Sequence, residues 1–322
     1  MTTQATTRIA AIDVGTNTAQ LLVAAVDDGM VVRRVHTDER FVRLGEGVDA
    51  SGQIGDAAIG RLVDALRAQR DQAEAHGAEA FTVGATSASR DAANQHAVID
   101  TVRRETGLPY EVLSGDEEAV WTFAAASDER SNRAGATIVI DIGGGSTELI
   151  VGRGGAVGPD AIQHRCSLDI GCVRLTERFF DGQPPSQHAI RRTTDCIDAA
   201  LEDAAVPVAP GATLIGTSGT TEALALVEAG PSSTVDVLGA AARRLPATAV
   251  HRWCGAVLER TRDEVFALHP EAMQGRADVF PVGVLILDRF LRATGLDGCR
   301  VSAHQLRHGL VLRWLHRRRR RS

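Results

Sequence analysis

Thr137-Ile138-Val139-Ile140-Asp141-Ile142-Gly143-Gly144-Gly145-Ser146-Thr147-Glu148-Leu149-Ile150-Val151 is an apolar, β-branched run that ends in an acid, breaks at three glycines and a serine, and resumes as a second apolar run. The pattern predicts strand, turn, strand, with a turn short enough to join antiparallel neighbours. Glycines in such a turn can adopt positive φ and bring backbone N–H groups close to an anion. An acid at the mouth is the residue type that holds Mg²⁺ beside a phosphate. The stretch reads as a phosphate-binding hairpin.

A fainter copy stands near the start of the chain. Residues 8–14 form an apolar run ending in Asp13-Val14-Gly15-Thr16-Asn17-Thr18, residues 19–26 a second, and residues 30–36 a third beyond the turn Asp27-Asp28-Gly29. Three strands joined by tight turns predict an antiparallel meander. A helix follows, with Ile59, Leu62, Val63 and Leu66 at the spacing of one buried face. Then come a strand over 79–85, a helix over 90–106, a short strand over 108–113, and a helix to about 126 that Ser114 or Asp116 can cap. The first half is a βββαβα unit followed by one more strand and helix.

The same order recurs after Ser131-Asn132-Arg133-Ala134-Gly135, with strands predicted over 137–142, 147–152 and 162–168. Helices follow over 172–180 and 186–204, then a strand over 213–216 leading through Thr217-Ser218-Gly219-Thr220 into another helix. Further helices are predicted over 249–268 and 282–294, a strand near Val301, and a last helix from 305 into the arginine run 317–321. Offset by 128 residues, Ile12-Asp13-Val14-Gly15 falls on Ile140-Asp141-Ile142-Gly143, Thr18 on Ser146, Leu21 on Leu149 and Val23 on Val151. Matching residues in a matching element order indicate an internal duplication, and two halves imply a cleft between them. The expected domains are 1–132, 133–303, and a terminal helix and tail over 304–322 that packs back on the first.

Composition narrows the chemistry. At 322 residues, 44% of them hydrophobic, the chain can bury two cores. A net charge of −6 argues against a general DNA or RNA binder. All 35 basic residues are arginine, which excludes a Walker lysine, a protein-kinase lysine and Schiff-base chemistry. Any phosphate grip must come from backbone N–H groups, arginine and metal. The cysteines (166, 172, 196, 254 and 299) are odd in number and lack CxxC spacing, so they read as small buried hydrophobes of a reducing compartment. The start lacks signal-peptide features and no apolar run reaches spanning length, so the expected location is cytoplasmic, off the membrane.

Two acid-then-glycine hairpins facing a shared cleft resemble the actin-like phosphotransferase superfamily, whose domains are ribonuclease H-like α/β units. Within it, Asp13-Val14-Gly15-Thr16-Asn17-Thr18, Ala85-Thr86-Ser87-Ala88-Ser89-Arg90, Ser114-Gly115-Asp116-Glu117-Glu118-Ala119, Asp141-Ile142-Gly143-Gly144-Gly145-Ser146-Thr147-Glu148 and Gly216-Thr217-Ser218-Gly219-Thr220 resemble, in order, the motifs of the exopolyphosphatase/guanosine pentaphosphate phosphatase family. The resemblance implies a hydrolase acting on inorganic polyphosphate, or alternatively on guanosine pentaphosphate (pppGpp). It implies Glu118 as general base, and Asp141 and Glu148 as the acids around Mg²⁺ or Mn²⁺. It implies Asp13, Gly15, Thr16, Asn17 and Arg90 as phosphate contacts in the first half, with Gly143, Gly144, Gly145, Ser146 and Gly219 in the second. It also implies a homodimer. Glu117, and the pair Arg276 and Asp278, read as structural.

The chain departs from longer members in two ways. It stops after one terminal helix, and Val301-Ser302-Ala303-His304-Gln305-Leu306-Arg307-His308-Gly309 replaces an Asp-Gly-x-x-Arg-x-Gly pattern. His304 and His308, four apart on one helix, read as surface histidines, and the arginine run as a solvated terminus. Rival readings are a small-molecule kinase of the same superfamily and an inactive polyphosphate or alarmone sensor. The Ser-Gly-Asp-Glu-Glu-Ala segment argues against the first, and the acids at 13, 118, 141 and 148 against the second.

Overall fold

The computed structural model describes residues 6–27, 30–128, 135–154, 159–234 and 244–319. The turn at 28–29, most of the junction at 131–135, and Arg320 and Arg321 lie outside them. The chain forms two compact units, residues 1–125 with 304–322, and residues 126–303.

In the first unit β1 (Thr7–Val14), β2 (Thr18–Asp27) and β3 (Met30–Phe41) form the meander. After α1 (Val48–Ser51) and α2 (Asp56–Ala75) come β4 (Ala80–Ala85), α3 (Ser87–Asp91), α4 (Gln95–Thr106), β5 (Tyr110–Val112) and α5 (Gly115–Asp128). The sheet order is β3-β2-β1-β4-β5, with β1, β4 and β5 parallel. The unit has the ribonuclease H-like fold class expected from the sequence, and the strand order is supplied by the structure. β1 is apolar over Ile9–Ile12 because both of its faces are covered there, as parallel central strands require. Ala10, Ile12 and Val14 join a core with Leu62, Leu66, Val98 and Val102, while Ile9 and Ala11 face Leu306, Leu310, Val311 and Leu315.

Two elements differ from the sequence reading. β3 runs on to Phe41, because Asp38–Phe41 pairs with Thr18–Leu21 although its residues are largely polar. The helix expected over 90–106 is broken in two. Asn94 uses its side-chain amide on both Ile54 N–H (3.0 Å) and Ile54 C=O (2.8 Å), which pins the break.

The second unit contains β6 (Ala136–Ile142), β7 (Thr147–Arg153), β8 (Ile162–Leu168), α6 (Cys172–Phe179), α7 (Gln187–Ala204), β9 (Thr213–Gly216) and α8 (Gly219–Ala229). It continues with β10 (Arg244–Pro246), α9 (Ala247–Leu258), α10 (Arg262–Leu268), α11 (Pro270–Met273), α12 (Phe280–Thr294) and β11 (Gly298–Val301). The sheet runs β10-β11-β9-β6-β7-β8, which repeats the first order with one added edge strand. The single helix expected over 249–268 is two. Thr261 and Glu264 form a reciprocal capping box that starts α10, and its signal was hidden inside a continuous apolar periodicity.

The terminal helix α13 (Leu306–Arg319) belongs to the first unit and packs on β1, β2 and β4. At Gly309 an added Cβ would stand 2.2 Å from the Trp121 carbonyl oxygen, a backbone atom that cannot swing aside. Gly309→Ala is therefore expected to destabilise the protein by about 1–3 kcal/mol, read as a lower midpoint in thermal or urea unfolding. An unchanged midpoint would show that α13 packs otherwise. The surface reading of the histidine pair needs correction. His308 is buried, its ring stacks on His304 at 4.4 Å, and burial followed by the charge of His304 holds it well below the ordinary histidine pKa.

All five cysteines are free, and burial pushes Cys172, Cys254 and Cys299 up to about 12. They behave as small hydrophobes. Among the described residues no helix is long and apolar enough to cross a membrane.

Candidate active site

In the first unit, Asp13 stands at the end of β1, directly opposite Gln20 on β2. The turn between them closes with the Gly15 N–H donating to Thr18 C=O (2.8 Å). Gly15 therefore uses its amide inside the turn, where a phosphate contact was expected. Thr16 and Asn17 turn their carbonyls onto the segment after β3, where Gly45 N–H donates to Thr16 C=O and both Val42 and Arg43 donate to Asn17 C=O, each at 2.9 Å.

Arg90 and Glu118 meet in this unit. Arg90 sits on the short α3, beyond β4, and Glu118 in the first turn of α5, beyond β5. The Arg90 guanidinium donates to Glu118 Oε2 at 2.8 Å and to the Leu113 carbonyl at 3.3 Å. Glu118 is only 6% exposed. The contact sets a guanidinium against a buried carboxylate, a group type that can serve as a general base. Glu117, one residue earlier, has a different task. Ser114 Oγ accepts from Glu117 N–H (3.2 Å) while Glu117 Oε2 accepts from Ser114 N–H (3.4 Å), a capping box that starts α5 and fixes where Glu118 emerges.

In the second unit, Asp141 on β6 stands directly opposite Glu148 on β7, so the two carboxylates share one face of the sheet. Like charges so opposed repel, and a cation between them removes the penalty. Glu148 is 2% exposed, and its Oε1 accepts from Ser146 Oγ (2.7 Å) and Ser167 Oγ (2.8 Å), so the carboxylate is oriented in advance. The same offset that relates the hairpins puts Gln20 at the place of Glu148. The first hairpin thus carries one carboxylate where the second carries two. Gln20 accepts from Arg307 Nη1 at 3.2 Å, which assigns it to holding α13.

The Gly143–Ser146 turn closes as its counterpart does, Gly143 N–H donating to Ser146 C=O at 2.9 Å. Gly143 also uses its amide internally, which narrows the expected phosphate cradle to the N–H groups of Gly144, Gly145 and Ser146. Next to this turn, Thr217 N–H donates to Ile140 C=O (3.1 Å) and Gly219 opens α8, with Ser218 Oγ capping Thr221 N–H. A Cβ at Gly219 would lie 2.3 Å from Arg276 Nη1, the mobile end of a long side chain. Arg276 is placed against the α8 N-terminus.

Among the described residues no three His, Cys, Asp or Glu side chains converge on a common point. The donor set still fits Mg²⁺. That ion keeps several waters and binds through one or two carboxylates plus substrate phosphate, in preference to a cage built wholly of protein. Asp141 and Glu148 are two hard oxygen donors of that kind beside an amide-lined turn.

Residues 22–318 match the Ppx/GppA phosphatase family. The chain is 34% identical to Exopolyphosphatase 2 of Mycobacterium tuberculosis over 96% of its length and 98% of the relative. It is 29% identical to a guanosine-5'-triphosphate,3'-diphosphate pyrophosphatase of Vibrio vulnificus, of which it spans 58%. The crystal structure of an exopolyphosphatase-like protein superposes with a TM-score of 0.86 at 31% identity, covering 97% of this chain and 98% of the other. With the paired acids, the glycine turn and the Arg90–Glu118 pair each on a duplicated α/β unit, the chain belongs to the Ppx/GppA phosphatase family.

Proposed function

We propose that the protein is an exopolyphosphatase, releasing orthophosphate from the end of inorganic polyphosphate by attack of water. The observation that carries this reading is the Asp141–Glu148 pair, ladder-opposed beside a turn with three outward amides. It offers metal ligands and phosphate donors side by side, without a lysine anywhere in the chain.

In the proposed reaction Glu118 takes a proton from water as the water oxygen bonds to the terminal phosphorus. The bridging P–O bond breaks, and its electron pair leaves with the shortened chain. Proton removal by a placed carboxylate supplies roughly 10²–10⁴-fold. Arg90 has five N–H donors, enough to hold Glu118 and a phosphate oxygen together. Gly144, Gly145 and Ser146 donate backbone N–H groups to the phosphoryl oxygens, and Thr16 and Asn17 line the first hairpin. Asp141 and Glu148 would hold Mg²⁺ or Mn²⁺, which when bound offsets negative charge on the transferred phosphoryl group.

Hydrolysis of pppGpp is the second reading, favoured by the Vibrio relative; the match along nearly the whole of Exopolyphosphatase 2 favours polyphosphate. Free cysteines suit a reducing cytoplasm. The test is orthophosphate release with Mg²⁺ from polyphosphates of several lengths, from pppGpp, and from ATP with candidate acceptors. Release from polyphosphate above the others supports the proposal, and release from none of them sinks it.

The arginine tail is not assigned to polyphosphate. Arg317 donates to Glu111 (3.0 Å) and lies 3.8 Å from Glu117, while Arg313, buried, bridges the same two acids. Partial burial would raise the Glu111 pKa; the bond from Arg317 and the charges of Arg313 and Arg317 outweigh it and hold it low. Deleting 317–322 is expected to leave the salt dependence of polyphosphate binding unchanged. A slope reduced by one or more contacts would assign the tail to substrate after all.

A further inference from the structure

We propose that Gly171 and Arg174 are positioning residues for the phosphate turn, acting through its carbonyls; the proposal rests on the phosphatase reading above. Four hydrogen bonds from the start of α6 reach the turn. Cys172 N–H donates to Gly143 C=O (3.0 Å), Val173 N–H and Arg174 N–H donate to Gly144 C=O (2.8 and 3.0 Å), and Arg174 Nε donates to Gly145 C=O (2.7 Å). All three glycine carbonyls are held by one helix end.

The consequence follows from peptide geometry. In a trans peptide the C=O of one residue and the N–H of the next point in opposite directions within one plane. Anchoring the carbonyls of Gly143, Gly144 and Gly145 to α6 therefore turns the N–H groups of Gly144, Gly145 and Ser146 away from α6. Among the described residues these three N–H groups make no hydrogen bond within the chain. The amides that would cradle phosphate are the other ends of the peptide planes that α6 clamps. Flexible glycines alone would not hold them so.

Gly171 makes the clamp sterically feasible. Its φ is −117°, so no unusual backbone conformation requires a glycine. Space requires it, because an added Cβ would lie 2.3 Å from the Gly144 carbonyl oxygen and 2.4 Å from the carbonyl carbons of Gly144 and Gly145. No side chain caps α6, and the turn's own carbonyls take that part. The first unit clamps its turn with main-chain donors from Val42, Arg43 and Gly45. In the second unit the Arg174 side chain provides the bond to the last carbonyl.

Arg174→Met, Arg174→Gln and Gly171→Ala test this in the full-length protein. Gln carries an N–H donor at the same reach as Arg Nε but no charge, so it should restore what Met loses. The first readout needs no activity: amide hydrogen exchange over 140–148 should quicken about tenfold or more in Arg174→Met and Gly171→Ala, and stay near wild type in Arg174→Gln. The second is the kinetic split, with KM for polyphosphate rising about tenfold in Arg174→Met while kcat changes less than about threefold. Unchanged exchange in both Arg174→Met and Gly171→Ala would overturn the proposal. So would Gln failing as badly as Met, since charge and not the carbonyl bond would then matter. If wild type released no phosphate from any donor, the functional reading would fall and the exchange data would still decide the clamp.

Discussion

Glu118→Gln is expected to lower kcat for phosphate release on the order of 1,000-fold, with substrate affinity within a few fold of wild type. The substitution keeps the shape of the side chain and an oxygen that can accept from Arg90 Nη1, so the buried contact at 2.8 Å survives. What it removes is the capacity to take a proton. Removing Arg90 instead would strip a 6% exposed carboxylate of its cationic neighbour, a change that costs about 3–5 kcal/mol in buried pairs and mixes stability with catalysis. Pre-steady-state phosphate release and equilibrium binding of polyphosphate separate the two effects. Wild-type turnover in the Gln variant would show that another group activates the water. Loss of binding together with turnover would move Glu118 from base to ligand.

Glu148→Gln should raise the Mg²⁺ concentration needed for half-maximal activity roughly 100-fold and lower the maximum. It converts the second hairpin into the pattern of the first, where Gln20 already faces Asp13. The carboxamide oxygen can still accept from Ser146 and Ser167, so the local bonds to Oε1 persist. Without metal, the variant loses one of two opposed carboxylates, and its thermal midpoint should equal or exceed that of wild type. A metal titration of activity beside metal-free unfolding checks both halves. Unchanged Mg²⁺ dependence would remove Glu148 from the metal site, whatever happened to stability.

The hairpin was readable in the sequence because an apolar run, an acid and a glycine turn leave few alternatives. The duplication was readable because residues and element order agree at one offset. The Arg90–Glu118 contact was not, since it joins turns after two different strands and depends on the β1-β4-β5 order that only the folded sheet fixes. Gln20 stood in plain view at the offset that defined the repeat, and its meaning appeared only when the ladder put it opposite Asp13. Arg174 carried one faint signal, the glycine three residues before it. The histidine pair misled because helical spacing presumes one helix: α13 begins at Leu306, past His304, and packs on the sheet with His308 buried.

Hydrolysis in ¹⁸O-labelled water tests the central claim most directly. If water attacks the terminal phosphorus, a single turnover with polyphosphate puts one ¹⁸O into the released orthophosphate and none into the shortened chain. Label in the chain end would mean attack at the penultimate phosphorus. Phosphate appearing on an added acceptor, with no label released, would make the protein a kinase.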